Sequence, residues 1–291
     1  MRVITLLPAA TEIVAALGGA GHLVGISHEC DYPGSVLHLP RVTSTPINGE
    51  ASGATIDADV RRLHDAGAAV IALETELLQS LMPDLIVTQS LCQVCAVSDG
   101  AVHHLADAMN PAPQVLSLEG RNLSGIWTDI RRIASALQLD DEAEELVLGL
   151  QSRLRRLSST RTGRRPRVVC VEWLEPLYIA GHWVPELVEA AGGHDIGAQP
   201  GSHSARRQWS ELRDLEPDHV LVMLCGFGIN RARKELAALR DSHALAFLKD
   251  IAMSIVDGNA YTSRAGPRVV DGAYRIRAAL AGEISPWLPV W

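Results

Sequence analysis

Residues 122–157 read NLSGIWTDIRRIASALQLDDEAEELVLGLQSRLRRL. No proline interrupts them, and Gly125 and Gly149 are their only glycines. Apolar residues recur at helical spacing, so the stretch predicts one helix from Asn122 to about Leu157, long for a globular protein. A straight helix of roughly 30 residues spans about 45 Å. That length suits a backbone joining two lobes better than a crossover inside one sheet. The polar run Ser158–Pro166 follows as a linker.

On both sides of this helix, short apolar runs alternate with longer amphipathic ones, the mark of βαβ units and mostly parallel sheets. Before it, strands are expected at Val3–Leu7, Leu23–Ser27, Asp84–Thr88 and Gln114–Leu118. After it they are expected at Arg167–Trp173, Leu177–Ala180, Asp218–Leu224 and Ile255–Asp257. The two halves echo each other: Leu81-Met82-Pro83-Asp84-Leu85 and Leu215-Glu216-Pro217-Asp218-His219 each lead from a helix into a buried strand. The expected fold is therefore α/β, with two Rossmann-like lobes joined by one long backbone helix and a ligand cleft between the lobes. Its parts are an N-terminal lobe over 1–121, backbone helix and linker over 122–165, and a C-terminal lobe over 166–291.

The 291 residues are 47% hydrophobic and 21% charged, with a net charge of −8. Such a chain buries real cores, and its charge argues against a nucleic-acid partner. The basic run from Arg153 to Arg167 reads as the solvated end of a helix and a linker. No apolar stretch approaches the roughly 18 residues of a membrane span, so no membrane insertion is expected. Met1-Arg2 runs straight into a strand without a secretory pattern, and a cytoplasmic location is expected. Five cysteines, an odd number, do not suggest a disulfide framework.

Open parallel sheets bind ligands beyond the carboxyl ends of their strands. Seven of the twelve aromatic residues fall in or beside those loops: Tyr32, Trp173, Tyr178, Trp183, Trp209, Phe227 and Tyr261. Singly, each suits a core; clustered at strand ends, they suit a pocket for a large flat ligand. His28, Cys30, Cys92 and Cys95 also follow strands of the first half. The Cys-x-x-Cys gap lets two sulfurs reach one metal, and with His28 and Cys30 it offers four tetrahedral ligands. Zinc or iron–sulfur binding, ligand-lining thiols and plain packing all fit this set. Cys170 falls mid-strand, as a core residue does. Glu76 and Glu211 lie on the short helices before each Pro-Asp strand, where a helix glutamate ordinarily faces solvent. Gly18-Gly19-Ala20-Gly21 ends a helix rather than opening one, so it reads as a helix stop, not a dinucleotide fingerprint.

These pieces, in order and at these spacings, resemble the cobalamin-binding proteins of ABC importers, the BtuF type, within the class of binding proteins whose lobes share a rigid helix. Val3–Leu7 with Pro8 and Thr11-Glu12, Leu23–Ser27 with Asp31-Tyr32-Pro33, Leu81–Val87, Leu187–Gly193 and Ser263–Arg268 carry the resemblance. It implies a corrinoid gripped by aromatics, with Tyr178 in one gripping position and Tyr32 near another. Tryptophans expected within Thr43–Asn48 and Ser202–Arg207 are absent from this sequence. The resemblance also implies permease docking through one glutamate per lobe: Glu76 matches, and Glu211 lies one residue from the aligned Ser210. The cysteine set is not part of that pattern and points to a cysteine-bearing branch, whose acceptor is either an ABC permease or an intracellular protein.

The expected function is non-catalytic binding of cobalamin or a related corrinoid, with Tyr32, Trp173, Tyr178, His182, Trp183, Phe227, Tyr261 and Arg264 lining the site. His28 and His182 are the candidate axial ligands of cobalt. The rival is a metal- or cluster-dependent enzyme using Cys30, Cys92, Cys95 and His28. A third reading is a haem or siderophore binder in which Arg264 and Arg268 meet carboxylates.

Overall fold

The structure, a computed structural model, describes residues 1–90, 97–159, 163–239, 248 and 251–283. They group into two compact units: Met1–Ala51, Ala58–Gly120 and Ser124–Gly149 in the first, and Ser52–Asp57, Arg121–Leu123 and Leu150–Trp291 in the second.

The chain begins β1 (Val3–Thr5), α1 (Pro8–Ala16), β2 (Leu23–Ile26), β3 (Thr43–Ser44), α2 (Gly53–Asp65), β4 (Ala72–Leu73), α3 (Thr75–Ser80), β5 (Leu85–Gln89), α4 (Asp99–Asp107) and β6 (Gln114–Leu118). In the first unit, β2, β1, β5 and β6 form a parallel sheet in that order, while β3 and β4 pair antiparallel. Strands buried on both faces read as continuous apolar runs, and Leu85, Ile86 and Val87 are fully buried. One face packs Ile4, Leu6, Ile86, Leu78, Val97 and Val102 into a core. Gly18 closes the α1 region at φ 78, the left-handed conformation that a helix stop favours.

The expected single helix is in fact two, α5 (Leu123–Leu137) and α6 (Asp140–Ser159). Gln138 adopts φ 59, and the Leu139 N–H turns back to the Ala134 carbonyl at 2.9 Å, which closes α5. Asp140, Asp141 and Glu142 then fill the first turn of α6, where acidic side chains favour a new helix N-terminus.

The second unit continues with β7 (Arg167–Leu174), β8 (Leu177–Ile179), α7 (Val184–Ala191), β9 (His194–Asp195), β10 (Ala205–Arg206), α8 (Trp209–Asp214), β11 (His219–Val222), α9 (Ile229–Leu239), β12 (Ala252–Ile255), α10 (Gly258–Tyr261) and α11 (Val269–Leu280). Its sheet runs β10-β8-β7-β11-β12, with β9 also on β7. The strands β7, β11 and β12 are parallel, β8 runs antiparallel to β7, and β10 runs antiparallel to β8. The last strand starts earlier than the expected Ile255–Asp257, because Ala252–Ile255 pairs in register with His219–Val222 and Met253, Ser254 and Ile255 are all buried. Residues 160–162 of the linker lie outside the described residues, as do residues 240–247 before Leu248. Helices α7 and α11 pack together. They bury Leu187, Val188, Val270, Ala273 and Ile276 completely, each large side chain contributing about 1.5–3 kcal/mol.

The Pro-Asp echo is structural. Met82 and Glu216, each before its proline, adopt φ 42 and φ 48. The carboxylates of Asp84 and Asp218 accept the backbone N–H of Arg2 and Arg167 at 2.6 and 2.8 Å. Each aspartate N–H donates back to the same arginine's carbonyl at 2.8 Å. Both guanidiniums also reach the preceding turn, Arg2 bonding the Leu81 carbonyl and Arg167 that of Leu215. Among the described residues, no helix is long and apolar enough to cross a membrane.

Candidate functional site

In the first unit, the loop after β2 is tied down from two sides. The His28 N–H donates to Thr43 Oγ1 at 3.0 Å, and the ring Nδ1 shares a 2.7 Å hydrogen bond with the same hydroxyl. Arg41 donates to the carbonyls of Ser27 and Cys30 at 2.9 and 2.8 Å. Cys30 is buried, its Sγ 3.1 Å from Thr11 Oγ1. Burial, then the Arg41 charge, lowers the His28 pKa, so the ring is neutral at pH 7. Cys92 and Cys95 lie outside the described residues, so the four-ligand set is described only at His28 and Cys30. Among the described residues, no group of three or more His, Cys, Asp or Glu side chains is placed to hold a metal. Tyr32, two residues beyond Cys30, is 48% exposed.

In the second unit, β7 and β8 form a hairpin whose register shifts between Val171 and Trp173. The spare residue, Glu172, is a β-bulge. It lets Val171 and Leu174, an odd number apart, both join the core. Trp173 pairs directly with Tyr178 across the hairpin, so the two rings stand on one face. Both are half-buried. The Trp173 indole N–H donates to the Glu175 carbonyl, and its ring lies 5.2 Å from that of Phe227. Phe227 is buried beneath the Arg231 guanidinium, 3.8 Å from its centroid. Trp173, Glu175, Phe227, Glu235 and Gly53 line a cavity of about 170 Å³. Pockets that enclose drug-sized ligands run from about 300 to 1,000 Å³, so this hollow is too small to enclose a whole macrocycle. The Glu235 carboxylate accepts the Gly53 N–H at 3.0 Å, holding the start of α2 at the cavity.

Beyond β8 the backbone of Gly181 runs against residues 202–204. A Cβ there would lie 2.4 Å from the Ser202 carbonyl oxygen, so the position requires glycine. His182 follows at φ 53, its N–H bonded to that same carbonyl at 2.6 Å. Its Nδ1 lies 3.5 Å from Ser204 Oγ, and its Nε2 is buried with no hydrogen-bond partner among the described residues. The His203 ring stands edge-on to it, with centroids 5.5 Å apart. Burial first, then His203 and Arg121, lowers the His182 pKa and keeps that ring neutral at pH 7. Trp183 is 5% exposed, and its indole N–H donates to the Thr262 carbonyl at 3.0 Å. After β12, Tyr261 is half-buried with Arg268 and Arg275 over its ring, at 5.1 and 5.6 Å. Arg264 is 7% exposed and donates to Asn259 Oδ1 at 2.7 Å.

Of the two helix glutamates, Glu76 is exposed in the first turn of α3. Glu211 is exposed too, but its carboxylate accepts the Gln208 N–H in a capping box at the start of α8. The structure thus brings together Trp173, Tyr178 and Phe227, and sets His182 beside Trp183. His203, Arg121 and Glu235 join these groups without having been singled out in the sequence. The turn-forming Gly201-Ser202-His203-Ser204 run carried the only signal for His203.

Residues 3–249 match the sequence profile of the family described as periplasmic binding protein. The chain belongs to this family. Members of the periplasmic binding protein family are binding proteins rather than enzymes, and that settles the choice against a catalytic scaffold. Among curated proteins, none matches the chain. Among solved structures, a periplasmic haem-binding protein from Pseudomonas aeruginosa aligns with a TM-score of 0.72 at 20% identity, over 98% of this chain and 94% of that one. The periplasmic haem-binding protein HutB of Vibrio cholerae gives 0.70 at 21%, over 96% and 98%. The periplasmic vitamin B12-binding protein BtuF of Vibrio cholerae gives 0.65 at 18%, over 96% of each chain. These likenesses establish the two-lobe α/β fold of periplasmic binding proteins, with mostly parallel sheets.

Proposed function

We propose that this chain is the substrate-binding component of an ABC-type transport system and that its cargo is a corrinoid, cobalamin foremost. The observation that carries this reading is the set of rings offered at strand ends: Tyr32, 48% exposed, in the first unit, and the paired Trp173 and Tyr178 in the second. Exposed and half-exposed aromatics are the usual anchors of a flat ligand. The nearby cations are engaged within the protein: Arg264 with Asn259, Arg231 over Phe227 and Arg268 over Tyr261. That lining suits the amide-fringed, largely uncharged corrin better than a ligand with free carboxylates. The B12-binding BtuF shares the fold. The permease partner would meet Glu76 and Glu211, the latter while also capping its own helix.

A visible absorption spectrum of purified protein, before and after mixing with hydroxocobalamin and desalting, tests this. One corrinoid retained per chain supports the proposal, and complete loss overturns it. Haem is the second reading, favoured by the haem-binding proteins of like fold. Retention of hemin without retention of corrinoid selects it.

A further inference from the structure

We propose that His182 and His203 form a two-imidazole site for a transition-metal centre that has open coordination positions. Their ring centroids are 5.5 Å apart. Two imidazoles sharing one tetrahedral ion at ordinary nitrogen–metal distances place their centroids roughly 5–6 Å apart. The His182 Nε2 is buried and has no hydrogen-bond partner among the described residues. Buried polar atoms are nearly always satisfied, so such a nitrogen is poised for a partner that binds. Its other ring nitrogen faces Ser204 Oγ at 3.5 Å, the kind of contact that orients a ligating imidazole.

The scaffold around the pair is unequal in a useful way. His182 is held by its own N–H, bonded to the Ser202 carbonyl, and by the tight passage of Gly181. His203 is exposed, so its ring can turn to admit a metal from solvent. Binding forms two nitrogen-to-metal dative bonds, displaces water or weak ligands from the metal, and transfers no electron. The metal comes as a free divalent ion, because two rings on one tetrahedral centre stand cis to each other, whereas a corrin or porphyrin leaves only two trans positions open.

The test uses tag-free full-length protein with wild type, His182→Asn and His203→Ala. Asparagine tolerates the left-handed backbone at 182, His203 is on the surface, and far-UV circular dichroism checks the fold. Each protein is titrated with Cu²⁺ under electron paramagnetic resonance, and separately with hydroxocobalamin and hemin under visible absorption. A copper signal with nitrogen hyperfine structure, weakened at least about tenfold in both variants, supports the site with a free ion as source. Copper binding unchanged by either substitution overturns the site and shows ring packing only. Retention of a chelate without histidine-dependent copper binding leaves the transport function standing without this site. Copper binding that depends on both histidines, with no chelate retained, does the reverse.

Discussion

His219 on β11 and Ser254 on β12 share a hydrogen bond of 3.1 Å, Nε2 to Oγ, inside the second unit's sheet. Both are buried, and burial pulls the His219 pKa from 6.5 down to about 4. Above pH 6.5 the ring is neutral whether the chain is folded or not. As the pH falls from 6.5 toward 4, the unfolded chain takes up a proton that the folded one refuses. Stability is therefore lost over that window, by up to about 3 kcal/mol. His219→Gln keeps a hydrogen-bonding group and removes the titration. Its unfolding free energy, measured in urea between pH 4 and 7.5, is expected to lack this loss.

Asp195 carries the opposite slope. Its Oδ1 accepts the N–H groups of Gly197 and Ala198 at 2.8 and 3.1 Å, while burial drives its pKa up from 3.8 to about 6. Between those values the folded state holds the proton and the unfolded state does not, so stability falls as pH rises. The two groups oppose each other in the wild type between pH 4 and 6. Asp195→Asn should raise stability at pH 7.5 by about 1–3 kcal/mol and leave the His219 slope exposed. Equal pH profiles for wild type and variant would refute this.

Gly181→Ala forces a Cβ to within 2.4 Å of the Ser202 carbonyl oxygen and 2.7 Å of the His203 carbonyl carbon. Backbone must move, at a cost of about 1–3 kcal/mol or more. A lowered melting temperature, together with loss of any metal dependence on His182, is the expected result.

The strand-end rings are separable from the fold. Tyr32→Ala and Trp173→Ala should each weaken corrinoid retention about tenfold or more, read by equilibrium dialysis. Tyr32→Ala, at an exposed ring, should leave the melting temperature unchanged.

Glu211→Ala removes half of a capping box and should cost about 1 kcal/mol. Glu76→Ala, on an open surface, should stay within about 0.5 kcal/mol of wild type. Urea denaturation distinguishes the two.

Much of this was legible in the sequence because local chemistry and tertiary packing agree. Both Pro-Asp turns mark strand starts, since their aspartates satisfy the backbone of the neighbouring strand. Gly18 stops its helix because a left-handed residue is needed there. The break at Gln138 was missed because a non-glycine residue supplies that conformation, and the acidic trio after it was its only mark. Two-residue strands such as β9 and β10 carry no periodicity. Tryptophan in a loop could signal a pocket wall or a core. Trp183 shows why composition alone cannot choose, since its polar end is satisfied by Thr262, far along the chain. The His182–His203 contact depends on Gly181 letting two backbones touch, a long-range fact that neither segment records by itself.

The bulge at Glu172 has a mechanical consequence. On the β8 side this residue is surplus, but on the other edge its carbonyl accepts the Cys225 N–H at 2.9 Å. One peptide thus clamps the hairpin tip that carries Trp173 to the segment that carries Phe227. The two rings, 5.2 Å apart, are thereby held as one stiff wall; under the proposed function, accommodation of differently shaped cargo would fall to the Tyr178 side of the hairpin and to loops elsewhere.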